Sequence, residues 1–154
     1  MGHAFSMKDL EPLIREAMEK NFTFTMMPKG TSMLPLIREG LDSVILSPLP
    51  EEIKAGDVIL YKRENGQFVL HRVMKVTHGS YIMCGDNQVI FEKGILRRNM
   101  IALATGMIRE NKEITFSENR EYSLYTQKIL KAKKLKNLLH RIKAVIKKLL
   151  RKQK

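Results

Sequence analysis

A chain of 154 residues, 44% hydrophobic and 29% charged, is long enough to bury a core of its own and too short to carry a second enzymatic domain. One cysteine, Cys84, excludes an internal disulfide, and four scattered histidines exclude the usual zinc-ligand spacing, so neither a metal nor a cofactor is expected. The formal net charge of +12 is confined to one end: twelve of the 28 basic residues and none of the 16 acidic ones lie from Lys128 to Lys154, which leaves residues 1–127 formally neutral.

In chain order, Leu10, Leu13, Ile14 and Met18 fall near helical spacing, with Asp9 available as a cap, and predict an amphipathic helix over 8–20. The alternation from Phe22 to Met27 predicts a strand, broken by Pro28, Lys29 and Gly30. Residues 30–40 offer no regular pattern beyond a turn of helix after Ser32. Short runs rich in Val, Ile, Tyr and Phe follow at 43–47, 57–62, 67–77, 80–84, 101–109 and 113–116, separated by Pro, Gly and Asn. Arg63-Glu64-Asn65-Gly66 joins two of them in the strongest hairpin signal, and His78-Gly79 marks another turn. From about Tyr122 the period becomes helical: Leu135, Leu138, Leu139, Ile142, Val145, Ile146, Leu149 and Leu150 form one stripe among lysines and arginines. The fold class is mainly β, a barrel or ribbon core between a short N-terminal helix (1–20) and a long basic amphipathic C-terminal helix (119–154), with the β domain at 21–118.

No run approaches the ~18–20 apolar residues of a membrane span, and the start lacks a signal-peptide pattern, so a cytoplasmic chain is expected. Twelve cations opposite an apolar stripe suit an anionic membrane surface, which would make the chain peripheral at the inner face of a membrane. The bland alternative packs the stripe on the β body and leaves the cations solvated.

Three segments carry possible chemistry. Ser32 follows a glycine turn after a strand, where a hydroxyl is presented at an edge; it reads as a nucleophile if a base is present, or as a helix N-cap if not. In Val69-Leu70-His71-Arg72-Val73, period-2 alternation sets Val69, His71 and Val73 on one face and Phe68, Leu70 and Arg72 on the other. His71 is thus a partly buried imidazole kept neutral, either a general base or a hydrogen-bonded core histidine. His3, His78 and His140 sit in a terminus, a turn and the tail. Asp86, in Gly85-Asp86-Asn87-Gln88, either orients His71 or makes an Asx turn.

Taken in this order, Gly30-Thr31-Ser32-Met33-x-Pro35, Gly56-Asp57-Val58-Ile59, Val69–Val73 and Gly85-Asp86-Asn87 resemble the boxes of the signal peptidase and LexA-type serine peptidase superfamily, over roughly residues 23–109. The resemblance implies a serine endopeptidase with Ser32 as nucleophile, and the base position holds His71, as in the superfamily's Ser-His branch, rather than a lysine; Lys62 and Lys75 fall outside that position. Three departures accompany it. Gly30 stands where many signal peptidases carry a hydroxyl residue of the oxyanion hole, which leaves that task to backbone N–H groups around Ser32. Only Glu92 follows the Gly-Asp-Asn box as a further acid, so the orienting acid is Asp86 or Glu92. An N-terminal membrane anchor and a helix-turn-helix domain are expected to be missing.

The expected substrate is an extended peptide or precursor protein pairing along a β-edge, with Met26, Met27, Met33 and Leu34 lining the groove or simply filling the core. Two other classes stay open: a regulator with a peptidase-like fold whose basic helix contacts nucleic acid, and a peptide-binding module without turnover.

Overall fold

The computed structural model describes residues 6–151; His3 and Lys152–Lys154 lie outside the described residues, as do the side chains of Val145, Leu149 and Leu150. Helix α1 spans Met7–Glu19. Its N-cap is Ser6, whose Oγ accepts from the Asp9 N–H at 3.3 Å while an Asp9 carboxylate oxygen accepts from the Ser6 N–H at 3.0 Å. Asp9, expected from sequence as the cap itself, is therefore the acidic half of a reciprocal capping box, three residues after the Ser6 N-cap. Leu10, Ile14 and Met18 turn into the core, whereas Leu13 falls on the wet side of the helix.

Eight strands follow: β1 (Phe24–Met26), β2 (Asp42–Ser47), β3 (Val58–Lys62), β4 (Phe68–Thr77), β5 (Ser80–Cys84), β6 (Glu92–Ile95), β7 (Met100–Arg109) and β8 (Lys112–Thr115). They form one open antiparallel sheet in the order β1-β2-β7-β3-β4-β5-β6, with β8 added beside β7. Strand β6 is absent from the sequence reading because Glu92-Lys93-Gly94-Ile95 has neither β-branched density nor alternation; it forms by pairing Ile95 with Tyr81 and Glu92 with Met83.

The β3–β4 hairpin sets the register of the middle of the sheet. The Arg63 N–H donates to the Gln67 carbonyl at 2.8 Å, Gly66 adopts φ 84°, and the Asn65 carboxamide oxygen accepts from the Gln67 N–H. Only the glycine of Asn65-Gly66 needs positive φ, and Asn65 contributes through its side chain. Ile59 then lies opposite His71 and Tyr61 opposite Val69.

Strand β3 is an unbroken apolar run because both its faces are covered. Val58 and Leu60 belong to a core under α1 with Ile14, Val44, Leu46 and Ala102; Ile59 and Tyr61 belong to a second core with Val69, Val73 and Met83. Helix α2 runs Arg120–Arg151. Its first turns dock through Tyr122, stacked on Phe116 with ring centroids 3.9 Å apart, and through Thr126, whose methyl lies against Gly56 so closely that a Cβ there would sit 3.0 Å from it.

The connection from β1 to β2 is held at its far end by Asp42. This carboxylate has no exposed surface and accepts from the Arg38 N–H and guanidinium and from the Arg109 guanidinium. Burial alone would raise its pKa, but the bonds from Arg109 and Arg38 outweigh that and hold it well below the usual carboxylate range. Asp42→Asn is expected to lower unfolding free energy by roughly 3 kcal/mol at neutral pH, the low end for a broken buried pair because both guanidiniums reach water. A depressed acid pKa stabilises above the unfolded value and the benefit fades as pH falls below about 4. Urea titrations of both proteins should therefore converge in acid.

Candidate active site

Beyond β1 the chain turns at Gly30 (φ 93°), where the Gly30 N–H donates to a Glu39 carboxylate oxygen at 2.8 Å, and residues 31–37 form consecutive turns that present Ser32 partly exposed. The Gly85–Gln88 turn clasps this loop. The Asn87 N–H donates to the Ser32 carbonyl at 2.8 Å and the Asn87 carboxamide to the Thr31 carbonyl at 3.2 Å. Gly85 is wedged between the two: a Cβ there would lie 2.6 Å from the Ser32 carbonyl oxygen and 3.1 Å from Cδ2 of the His71 ring. Gly85 is thus glycine for close approach, with the serine loop and the histidine strand on either side of it.

Ser32 and His71 line the same open pocket, together with Gly30, Thr31, Phe68 and Gln88. Among the described residues no hydrogen bond joins the Ser32 hydroxyl to the imidazole. His71 is 2% exposed, on the face of β4 that it shares with Val69 and Val73. Its Nδ1 lies 3.1 Å from the Tyr61 hydroxyl, which donates to Glu92 Oε1 at 2.8 Å. Glu92 also pairs with the Arg63 guanidinium, its Oε2 accepting from Arg63 Nε at 2.7 Å.

These partners decide the tautomer. Burial tends to raise the Glu92 pKa, but the bonds from Arg63 and Tyr61 hold it below the usual range, so the carboxylate is ionised and can only accept. The single Tyr61 proton therefore goes to Glu92, and the Tyr61 oxygen must accept from Nδ1–H of His71. A neutral ring with its proton on Nδ1 keeps a bare lone pair on Nε2. Desolvation dominates the ring's own equilibrium and pushes its pKa down to about 4, against the pull of Glu92. The proton accepted at Nε2 would make an imidazolium whose charge Glu92 meets through Tyr61.

Asp86 does not orient His71. Its two oxygens accept from Arg72 Nε and Nη2 at 2.8 and 2.7 Å, and Oδ2 also from the Tyr125 hydroxyl at 3.0 Å. Because His71 and Arg72 are neighbours on a strand they point to opposite faces, and Asp86 lies on Arg72's side. Of the two acids that the sequence left open, Glu92 is the one connected to the imidazole.

Lysine 133, read from sequence as one cation of the tail, is only 5% exposed. Its Nζ donates to the carbonyls of Gly85, at 2.6 Å, and Gln88. Helix α2 thereby closes the back of the turn that clasps Ser32. Neither this role nor that of Tyr61 is visible in composition, although the hairpin register puts Tyr61 diagonally across from His71, within reach of a long side chain. Of the expected groove residues, Met26 and Met27 line a separate apolar cavity between α1 and the sheet that adjoins the pocket through Pro28 and Phe68, while Met33, buried in the core, also lines the pocket that holds Ser32. Among the described residues the N–H groups of Ser32 and Met33 donate to no protein acceptor, which leaves them free beside the serine hydroxyl.

No family model, no curated protein and no solved structure matches this chain. Among the described residues no helix is long and apolar enough to cross a membrane.

The buried imidazole has a measurable signature. Between the ordinary histidine value of 6.5 and about 4, the unfolded chain binds a proton that the native ring refuses, so stability should fall by roughly 3 kcal/mol as pH drops through that window and level off below it. Nitrogen-15 spectra should show the His71 proton on Nδ1 at neutral pH. Tyr61→Phe leaves that N–H without its acceptor, and should shift the Nδ1 signal and destabilise the fold by roughly 1–3 kcal/mol in thermal melts.

Proposed function

We propose that this chain is a serine endopeptidase of the signal peptidase and LexA-type superfamily, with Ser32 as nucleophile and His71 as general base, cutting a peptide or precursor protein. The observation that carries the reading is the chain of partners behind the histidine: His71 Nδ1 lies 3.1 Å from the Tyr61 hydroxyl, which donates to Glu92, and His71 and Ser32 line one pocket. Orientation by a carboxylate, here at one remove through a phenol, is how serine-histidine sites ready the base.

Ser32 Oγ attacks the scissile carbonyl while Nε2 takes its proton. The oxyanion of the tetrahedral intermediate is met by the Ser32 and Met33 N–H groups, consistent with Gly30 in place of a hydroxyl residue. Nε2 returns the proton to the leaving amine, and water, deprotonated by the same nitrogen, hydrolyses the acyl-enzyme. Asp86 acts at a distance, by fixing through Arg72 the turn that clasps the serine loop.

The substrate lies extended. Strand β1 is an edge of the sheet and leads directly into the Ser32 loop, so a peptide paired along it would carry its backbone to the hydroxyl. The cavity beside Met26, Met27 and Phe68 suits an apolar side chain of that peptide. A peptide-binding module without turnover would use the same edge and cavity, and the missing Ser32–His71 hydrogen bond is the observation in its favour.

Cleavage of a peptide library, read by mass spectrometry, separates the two. Wild-type protein should cut, with an acid limb near pH 4 set by the free-enzyme histidine. Ser32→Ala and His71→Ala should each lose roughly 10³-fold or more. Gly85→Ala puts a Cβ 2.6 Å from the Ser32 carbonyl oxygen and should lower the melting temperature as well as lose about 10²-fold or more in cleavage, as that carbonyl is displaced. Peptide binding by wild type with no cleavage at any pH would favour the module.

A further inference from the structure

Helix α2 has two unlike halves. Up to Lys133 it belongs to the body: Tyr122 and Thr126 reach Arg72, Tyr125 reaches Asp86, and Lys133 enters the Gly85–Gln88 turn. Beyond Lys133 the described Leu and Ile side chains are half exposed, Leu138 still bordering a pocket with Met74, Ile82 and Phe91. Leu135, Leu138, Leu139, Ile142 and Ile146 stand between 46% and 59% exposed. Their spacing places them on one side of the helix over about 16 Å of its length. A row of five half-bare Leu and Ile residues is a surface that water disfavours, unlike apolar residues scattered singly. Lys131, Lys134, Lys136 and Lys143 are exposed around it.

We propose that this half of α2 lies in the interface of an anionic phospholipid membrane, its apolar row in the acyl boundary and its lysines at the headgroups. Charge decides between the surfaces that could cover the row. A second copy would bring another helix of the same sign, and no acid lies from Lys128 to Lys154 to pair with it, while residues 1–127 carry no net charge to attract it. Nucleic acid would satisfy the cations and leave the apolar row wet. An anionic bilayer answers both features at once. Since Lys133 ties α2 to the turn beside Ser32, binding would also set the candidate active site close to the membrane surface; lipid binding itself does not depend on the serine chemistry.

The test is co-sedimentation of the full chain with phosphatidylcholine vesicles, with and without phosphatidylglycerol, beside a duplex-DNA binding assay at the same ionic strength. The wild type and Ser32→Ala should bind the anionic vesicles equally and the neutral ones weakly, with binding reduced by added salt. The double variant Leu139→Glu, Ile142→Glu alters two exposed positions beyond the docked half; it should keep its melting temperature and lose roughly tenfold or more in vesicle affinity. Equal binding to neutral vesicles, undiminished binding by the double variant, preference for DNA, or a dimer that the double variant dissolves would each overturn the proposal.

Discussion

The ion pair between Arg72 and Asp86 is the constraint on which the rest of the molecule depends. Both side chains are fully enclosed, and two charges withdrawn from water are tolerable only when their geometry is good and every remaining polar atom is met. Here the bidentate contact is completed by the Gly56 carbonyl, which accepts from Arg72 Nη1 at 2.7 Å, and by the Tyr122, Thr126 and Tyr125 hydroxyls. One guanidinium therefore joins four parts of the chain: strand β4, the Gly56-Asp57 turn, the turn after β5, and α2. Tyr122 and Tyr125 also lay their rings beside the cation, with centroids 5.6 and 5.7 Å from it.

That pair reaches the opposite face of the sheet through the backbone. Neighbouring residues on a strand project oppositely, so whatever fixes Arg72 fixes His71. Asp86 carries the same constraint into the turn whose Asn87 holds the Ser32 loop and whose Gly85 separates the serine carbonyl from the imidazole. The two faces divide the work. One is a closed, charged joint that sets positions, and on the other burial beside Val69 and Val73 keeps the imidazole neutral while Tyr61 and Glu92 settle which nitrogen is bare.

Much of this was legible in the sequence where local rules govern. Period-2 alternation placed His71 between Val69 and Val73 and separated it from Arg72, and Asn65-Gly66 marked the hairpin that aligns Tyr61 with the histidine. The mainly β body between two helices also followed from spacing and turn residues. What sequence could not supply were side-chain partners across the sheet. Asp86 looked suited to His71 because the two stand close in the order of motifs, but a one-residue difference in strand position sends the carboxylate to Arg72 instead. Glu92 gains its place from β6, a strand created by pairing and not by propensity. Lys133 looked like one cation among twelve, since its burial depends on carbonyls that only the folded turn aligns.

The proposed Ser32–His71 dyad is tested most directly by covalent labelling with a fluorophosphonate, mapped by mass spectrometry, because the reagent needs an activated hydroxyl and no knowledge of the substrate. Labelling should fall on Ser32 alone, rise with pH as His71 loses its proton, and disappear in His71→Ala. A folded protein that takes no label at Ser32, or takes it equally without His71, would contradict the assignment of these two residues as nucleophile and base.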